Sequence, residues 1–580
     1  MKRRQFIASA GALGAGLEGL TRAEGTRESA RLQVPKRTTS RRNVAPRGTA
    51  RLLYVSDPSS IAINMFPDPV REEDLRRWVD LLADSGVDIF DQEVYSQGWT
   101  AYWRSPKFEY DRRVQHRRFL PLIDAGIQPL KVLIDQTRKR GMTFVAGIRM
   151  NDNHGFQAKQ QGVGIAKFIE AHPEWNLKEF PSGEYYKMSE PLDFTFDGVR
   201  DHVLSVMQEI ATQFDVDGLE MCFRDHQYFP VNKGSERAHL MTDLVQKARA
   251  ILDQRGKATG RKLRLGTRVF STLDECKKLG LDVPTWISKG LIDYVSPQDV
   301  MYADFNAPYP EFAALTGNSK CMLYPALLPW SSSRARSRLD QIPLSPASQR
   351  AFVQTLYGAG ADGISVYNNF TVMWHAPFYP QHLRIFHQLR DPKRVAAGER
   401  HYIFDPTWAG QTGFGAEGLT STGALKAAKL VLDRTGANPS GEYRFSLYED
   451  LEHSHGSTLL FRGFGLTDDD ALEVSLNGHL IADSAIGRTR ASQTPVDWGH
   501  VHQIAGRKVK TIPEQGRINF AKSAEPSFST RWLELNHQLV NWGENVLTVR
   551  LTNSDPQATG PIVIDEIEIW VEPKSQEMGR

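Results

Sequence analysis

The stretch VDGLEMCFRDHQYFP, residues 216–230, begins like a buried strand and ends in polar side chains. Leu219 and Phe223 are typical of a packed interior, whereas Glu220 interrupts the apolar run. Arg224, Asp225 and His226 follow at the exit of the predicted strand. A strand that collects polar groups at its carboxyl end is typical of parallel sheets, where that end carries the binding site. The sheet to which this strand belongs therefore decides how the segment is interpreted.

Seven further strands of the same kind occur in the chain. The eight predicted strands are residues 51–57, 87–95, 142–152, 216–225, 262–270, 291–300, 320–327 and 362–369. Amphipathic segments with apolar residues at helical spacing, such as 72–86 and 199–214, lie between them. Eight strands alternating with helices predict a (β/α)8 TIM barrel, an α/β fold. A doubly wound open sheet is the alternative; it would be favoured by a Gly-rich loop after the first strand, and residues 54–68 contain none.

The spacing of apolar residues changes at about residue 400: alternation typical of strands replaces the spacing typical of helices. Segments such as DALEVSLNGHLI (470–481) and NVLTVRLTN (545–553) are separated by turn signals. This pattern predicts an antiparallel β-sandwich of the jelly-roll type. We therefore divide the chain into four regions. They are a twin-arginine-type signal segment (1–25), a disordered linker (26–50), a barrel catalytic domain (51–395) and a carbohydrate-binding-like β-sandwich (396–580).

The first fifty residues differ from the rest in charge. They carry a net charge of +8, and the remainder of the chain carries −5. Arg3 and Arg4 precede a short run of small apolar residues, a pattern typical of twin-arginine export, so we expect a periplasmic or extracellular protein. No later segment is long and apolar enough for a membrane span, and no basic stripe indicates nucleic-acid binding.

Polar residues recur where the predicted strands end. Because these ends meet on one face of a barrel, we expect the side chains to form a substrate-binding site. The predicted substrate-binding residues are Asp57, Glu93, Arg149, Asn151, Asp152, His154, Arg224, Asp225, His226, Arg268, Tyr324, Tyr367 and Asn368. Aromatic residues are frequent near the same exits, for example Trp99 and Trp374. Since sugar rings bind flat aromatic side chains, this distribution favours a carbohydrate substrate.

Two carboxylates are candidates for catalysis, Glu220 on the fourth strand and Asp299 at the exit of the sixth. Glycosidic bond cleavage needs one acid that protonates the leaving oxygen and one carboxylate that attacks or activates water. We predict Asp299 as the acid and Glu220 as the nucleophile or base. Purely structural roles are the alternatives: a Glu–Arg network that holds the barrel together, and a capping role for Asp299.

No cofactor or metal is predicted. Asp152, His154 and His226 could bind zinc, but their spacing matches no zinc motif. The cysteines Cys222, Cys276 and Cys321 fit neither a zinc site nor a disulfide framework, so buried free thiols are expected.

The segments GIRMNDNHG, VDGLEMCFRDHQYFP and ADGISVYNNF, together with the β-rich tail, resemble the barrel family called glycosyl-hydrolase-like family ten. The resemblance covers roughly residues 50–390 and implies a sugar-active barrel. EVSLNGHLI and GENVLTVRLTN resemble galactose-binding-like jelly rolls, which may here bind glycan or brace the barrel.

One position departs from related barrels. In α-amylase-like and α-galactosidase-like barrels the strand-four nucleophile is an Asp, and here that position is Cys222. The resemblance then leaves the role to Glu220 or Asp225. We predict an exported glycoside hydrolase that acts on a polysaccharide or oligosaccharide; the alternative is a noncatalytic glycan-binding surface protein on a degenerate barrel.

Overall fold

The computed structural model describes the barrel and sandwich regions with gaps. The described residues are 46–47, 51–96, 98–151, 155–178, 191–223, 227–298, 302–328, 330–331, 344–367, 369, 381–404, 430–436, 439–489, 501–504, 507–510 and 528–573. The predicted signal segment and most of the predicted linker lie outside them. Within the described residues, no helix is long and apolar enough to cross a membrane.

The first part of the chain forms a mainly parallel sheet. Its strands and the short pair beside them are β1 (Arg51–Ser56), β2 (Ile89–Ser96), β3 (Thr100–Ala101), β4 (Thr143–Arg149), β5 (Gly218–Cys222), β6 (Arg264–Phe270), β7 (Tyr294–Gln298), β8 (Tyr302–Ala303), β9 (Met322–Leu323), β10 (Ala326–Leu327), β11 (Trp330–Ser331) and β12 (Gly363–Tyr367). The strand order is β10-β12-β1-β2-β4-β5-β6-β7-β9, with β3 antiparallel to β2 and β8 paired with β11.

The sheet closes on itself. Its two end strands, β9 and β10, are consecutive in the chain and separated only by Tyr324 and Pro325. The backbone of Tyr324 donates to Val295 on β7, and the carbonyl of Pro325 accepts from Ser365 on β12, both at 2.9 Å. Residues 322–327 therefore complete a ring of eight strand positions, which confirms the predicted TIM barrel.

Helices follow the strands and cover the outside of the barrel. They are α1 (Pro58–Met65), α2 (Glu72–Asp84), α3 (Val114–Arg117), α4 (Leu120–Asp124), α5 (Pro129–Lys139), α6 (Gly155–Gln160), α7 (Lys167–Ala171), α8 (Asp197–Gln213), α9 (Gly234–Thr259), α10 (Leu273–Lys278), α11 (Val283–Ser288), α12 (Tyr309–Thr316), α13 (Pro346–Gly358), α14 (Phe386–Leu389) and α15 (Pro392–Ala397). Helix α8 shows the principle: its stripe of Val199, Val203, Val206 and Ile210 is buried, as its spacing predicts.

The second part of the chain consists of antiparallel sheets, as the alternation predicts. Its strands are β13 (Arg400–Phe404), β14 (Leu430–Leu432), β15 (Ser440–Leu447), β16 (Ser454–Phe464), β17 (Ala471–Leu476), β18 (His479–Ile481), β19 (Gly487–Arg488), β20 (Val501–Ile504), β21 (Arg507–Lys510), β22 (Phe528–Glu534), β23 (Gly543–Asn553) and β24 (Ile562–Pro573). One sheet has the order β13-β24-β16-β22-β19 with β14 beside β24, a second has β15-β23-β17-β18, and β20 pairs with β21.

Polar contacts join the barrel to the sandwich. On α13, the Gln354 side chain donates to the carbonyl of Tyr448 at 2.9 Å. The side-chain amide of Asn306 donates to the Arg444 carbonyl, and its oxygen accepts from the Ser446 backbone at 3.0 Å. These contacts fix the sandwich against the helical side of the barrel.

Arg47, in the predicted linker, is bound to the barrel at the amino-terminal ends of its strands. Its guanidinium donates to both carboxylate oxygens of Asp362, which directly precedes β12, at 2.8 and 2.6 Å. It also donates to the carbonyls of Thr316, Ser319 and Cys321 at 2.6–2.8 Å. The chain therefore enters the barrel at the end opposite to the predicted site.

Candidate active site

Strand register brings Glu220 into the middle of a row of interior side chains. Glu93, Gly147, Glu220, Gly266 and Tyr294 are register neighbours on β2, β4, β5, β6 and β7. Side chains alternate across a strand, so these residues share the interior face. Glu220 thus has a glycine on each side, and the missing side chains leave room for groups from strands further away.

Side chains of other strands occupy the space beside both glycines. A Cβ atom at Gly147 would lie 2.6 Å from Oδ1 of Asp91, which reaches across β4 towards Glu220. A Cβ atom at Gly266 would overlap the ring of Tyr294. The Tyr294 hydroxyl therefore reaches Glu220, donating to Oε2 at 3.0 Å.

Arg268 is the main partner of Glu220. Its Nε donates to Oε1 at 2.7 Å and its Nη2 to Oε2 at 3.2 Å. Both side chains are buried, with exposures of 0% and 1%. Burial alone would lower the pKa of Arg268, but the adjacent Glu220 carboxylate raises it above its ordinary value. Glu220 and Arg268 thus form the contact that the structural alternative of a Glu–Arg network requires, and a carboxylate held in a fixed orientation is also what a nucleophile or base needs.

The remaining donors of Arg268 fix its position. Nη1 donates to Ser296 Oγ at 2.9 Å, Gln298 Oε1 at 2.8 Å and Ser365 Oγ at 3.1 Å. Its guanidinium carbon lies 5.4 Å from the ring centroid of Tyr367. Side chains of two strands, β7 and β12, thus orient the guanidinium of Arg268, and this guanidinium in turn orients the carboxylate of Glu220.

A second ionic cluster lies at the carboxyl ends of β1, β2, β4 and β12. Arg149 donates from Nε to Oε1 of Glu93 at 3.0 Å, and its Nη2 lies 2.9 Å from Oε2 of the same carboxylate. The same Nη2 donates to Oδ2 of Asp57 at 3.2 Å and to the hydroxyl of Tyr367 at 2.8 Å. The Tyr367 hydroxyl in turn donates to Glu93 at 3.2 Å. The structure therefore brings four predicted substrate-binding residues into direct contact with each other.

Two other predicted residues have contacts of a different kind. Asn151 is buried and bridges backbones: its amide donates to the carbonyls of Leu192 and Gln227, and its oxygen accepts from Leu192 N–H at 2.8 Å. Tyr324 lies elsewhere. Its ring is 3.0 Å from the position of a Cβ atom at Gly363, the first residue of β12. It therefore lies towards the amino-terminal end of the barrel, where β12 begins.

The other predicted site residues lie outside the described residues. They are Asp152, His154, Arg224, Asp225, His226, Asp299 and Asn368. The proposed catalytic pair Glu220–Asp299 consequently has one described member, and the roles assigned to these residues stay predictions. Cys222, Cys276 and Cys321 are buried, and none of them forms a disulfide within the described part of the chain.

The interior also contains groups that the predicted site omits: Asp91, Tyr294, Ser296, Gln298 and Ser365. Asp91 precedes Glu93 by two residues and so shares its face, a signal that alternation alone could have supplied. The roles of Tyr294 and Ser365 depend on register between strands, which no local pattern reveals.

A cluster of three polar residues, Ser59, His116 and Asp111, lies next to Asp57 at the end of β1. The backbone of Ser59 donates to Oδ1 of Asp57 at 2.9 Å, and its hydroxyl lies 2.8 Å from Nε2 of His116. Asp111 approaches the same Nε2 at 3.5 Å rather than Nδ1, so the three residues do not form a Ser-His-Asp relay. Burial lowers the pKa of His116 to about 4, which makes the imidazole neutral near pH 7. His116 and Glu93 both line a pocket beside β2.

Several solved structures are similar to this chain at low identity. The glycoside hydrolase domain of PgaB (BpsB) from Bordetella bronchiseptica is 12% identical, with 59% of this chain and 98% of that chain covered and a TM-score of 0.37. An α-amylase from Geobacillus thermoleovorans, complexed with acarbose, is 10% identical, with 87% and 99% covered and a TM-score of 0.37. Likeness at this level carries no argument about function.

An α-L-fucosidase isoenzyme 2 from Paenibacillus thiaminolyticus is 10% identical, with 61% of this chain covered and a TM-score of 0.34. The chain spans about half of that fucosidase, 51% of its length. No curated protein matches the sequence.

A family model matches part of the barrel. The matched segment is residues 58–248, about a third of the chain, and it contains Asp91, Glu93, Arg149 and Glu220. The family is described as Glycosyl hydrolase-like 10. The resemblance seen in the sequence is therefore confirmed: residues 58–248 match the Glycosyl hydrolase-like 10 family.

Proposed function

We propose that the chain is a glycoside hydrolase that cleaves a polysaccharide or oligosaccharide at the carboxyl-terminal face of its barrel. The observation that carries the proposal is the environment of Glu220, whose carboxylate is oriented by Arg268 and Tyr294. We assign Glu220 as the nucleophile or base and Asp299 as the general acid that protonates the leaving oxygen.

The charges of the interior support this reaction class. The described clusters contain the carboxyl groups of Asp57, Glu93 and Glu220, apart from Asp91, but only the guanidiniums of Arg149 and Arg268. Carboxyl groups thus outnumber cations in a buried space, where charge interactions are strong. Glycoside cleavage passes through an oxocarbenium-like transition state, whose positive charge an excess of carboxylates stabilises.

The test is turnover by the purified protein on a panel of plant, algal and bacterial glycans, read as new reducing ends. We expect Glu220→Gln and Asp299→Asn to lower turnover by about 10²–10⁴-fold, the usual contribution of a catalytic acid or base. Glu236→Gln, on the exposed surface of α9, is the matched control. Circular dichroism checks that each variant is folded, and near-normal turnover in both folded variants would contradict the assignment.

The second candidate function is noncatalytic glycan binding. It is favoured by the enclosure of Glu220 among three donors and by the cysteine at position 222. Saturable binding of one glycan, with no product after long incubation, would favour this alternative over hydrolysis.

We also propose export by the twin-arginine route, on the pattern around Arg3 and Arg4. Replacing both by Lys should retain the precursor in the cytoplasm, as measured by cell fractionation. Secretion at the wild-type level would argue against this route.

A further inference from the structure

Asp91 is a buried carboxyl group without a cationic partner of its own. Its exposure is 0%, and no N–H or O–H group of the described residues donates to either of its oxygens. Burying an ionised carboxylate in this way is costly, so such groups normally pair or become neutral. The group that Asp91 faces across β4 is the carboxyl of Glu220, since Oδ1 of Asp91 lies over Gly147, the register neighbour of Glu220.

Gly147 lets the two carboxyl groups approach each other. It stands between Glu93 and Glu220 in the register, and the Asp91 carboxyl occupies the space where a side chain at position 147 would lie. Two carboxyl groups in contact can form a hydrogen bond only when one of them carries a proton. In this pair the geometry decides which one, because Glu220 already accepts two donors from Arg268 and one from Tyr294.

We propose that Asp91 is a protonated carboxylic acid at neutral pH, that it donates its proton in a hydrogen bond to Glu220, and that it is a positioning residue for this carboxylate. The positioning role rests on the proposed function of Glu220; the protonation of Asp91 does not. No proton is transferred in the resting protein: the O–H bond stays on Asp91, and Glu220 gains a fourth donor.

The charged and titratable groups around Asp91 agree with this state. Glu93 on its own strand and Glu220 across β4 oppose its ionisation, whereas Arg268 favours it and Tyr294 contributes a neutral hydroxyl. Burial is the largest cause, followed by the charge of Glu220, and together they raise the pKa of Asp91 well above its ordinary value of 3.8. Beyond Glu93, the Arg149 guanidinium is already bound to Asp57 and Glu93.

The first test needs no substrate. Difference infrared spectra at pH 7 should show a protonated-carboxyl band in the wild-type protein that Asp91→Asn removes. Asp88→Asn is the matched control, since Asp88 lies three residues away in an ion pair with Arg390 at 2.6 Å. It should leave the band unchanged. Absence of the band from the wild-type spectrum, or from the wild-type minus Asp91→Asn difference spectrum of the folded variant, would overturn the proposal, and the first of these outcomes holds even where the variant fails to fold.

The second test uses the pH dependence of stability. A carboxyl group whose pKa is raised by folding keeps its proton in the native state while the unfolded chain releases it. Native stability therefore falls as the pH rises from about 4 towards the native pKa. Asp91→Asn lacks this proton, so its stability relative to wild type should increase over the same range. A difference that stays constant between pH 4 and 8 would contradict a protonated Asp91.

The positioning role is tested by turnover if a substrate is found. Asp91→Asn keeps a donor towards Glu220 and should retain most of the activity, whereas Asp91→Ala removes it. In Asp91→Ala the acidic limb of the kcat/KM profile should move to higher pH, because the ionised form of Glu220 has lost a donor. Identical profiles for the two variants would overturn the positioning role alone. Absence of any turnover would count against the proposed function and leave the infrared result to decide on Asp91.

Discussion

Three buried carboxyl groups inside the barrel, those of Glu220, Glu93 and Asp91, are compensated in two different ways. Glu220 and Glu93 are paired with Arg268 and Arg149, whose guanidiniums each donate two parallel contacts. Asp91 is compensated by a proton instead. Removing one partner of such a pair leaves an uncompensated charge, which typically costs about 3–5 kcal/mol. Charge balance at single residues therefore limits which substitutions the barrel tolerates.

Single buried histidines also affect the free energy of unfolding at acidic pH. His202 on α8 stacks on Phe168 at a centroid distance of 3.7 Å, and its Nε2 lies 2.7 Å from the Tyr95 hydroxyl. Burial lowers its pKa from 6.5 to about 4. The native state thus excludes a proton that the unfolded chain binds, so the stabilisation is complete above pH 6.5 and is lost as the pH falls towards 4.

We predict that His202→Phe lessens the loss of unfolding free energy between pH 6.5 and 4 by up to about 3 kcal/mol, at 1.36 kcal/mol per pKa unit. Chemical denaturation at several pH values measures this slope separately from any constant loss of stability. The same substitution at exposed His479 is the control. An unchanged slope in His202→Phe would show that this imidazole does not account for the acid sensitivity.

At the scale of elements, glycines in β4 and β6 determine what Glu220 on β5 can contact. Gly147 admits Asp91 from one side, and Gly266 admits Tyr294 from the other. A glycine inside a strand weakens the strand by itself, and one of its uses is to let another group approach closely. Here the absence of side chains at Gly147 and Gly266 lets Asp91 and Tyr294 approach the carboxylate of Glu220.

Gly266→Ala should therefore destabilise the barrel by about 1–3 kcal/mol or more, since the Tyr294 ring is rigid and cannot move aside without leaving Glu220. Gly164→Ala is the matched control, because a Cβ atom there meets nothing within 4 Å. Denaturant unfolding of both variants measures the difference. Equal stabilities would mean that the Tyr294 ring does not lie over Gly266.

At the scale of the whole molecule, the barrel is bound at one end by the segment that precedes it and at its side by the sandwich. Arg47 joins the loop after α12 to the residue before β12. Asn306 and Gln354 connect the barrel to the sandwich. The contacts of Arg47 lie at the amino-terminal ends of the strands, opposite the proposed site, whereas Asn306 lies in the loop between β8 and α12.

Arg47→Ala should lower the free energy of unfolding by about 3 kcal/mol, because Asp362 loses its cation while its side chain is only 2% exposed. Arg71→Ala removes an ion pair in which the arginine is 69% exposed, so a much smaller loss is expected there than at Arg47. Thermal and denaturant unfolding compare the two. A loss at Arg47 no larger than that at Arg71 would show that this segment does not contribute to barrel stability.

Local patterns in the sequence determined the architecture. Alternation and helical spacing depend on neighbours within a few residues, so the eight strands, helix α8 and the antiparallel second part could be read directly from them. The same alternation placed Glu220 inside the barrel and indicated an arginine partner. It also placed Asp57, Glu93 and Arg149 at strand ends that meet on one face.

Contacts between strands far apart in sequence were decided only by the tertiary structure. Arg268 rather than Arg149 binds Glu220, Tyr324 turns towards the opposite end, and Asp91 crosses β4 to reach Glu220. These outcomes depend on register and on barrel closure, which a period of two residues cannot specify, because a shift of two residues preserves the pattern and changes every partner. The sequence thus determined which side chains enter the interior, and the closed barrel determined which of them meet.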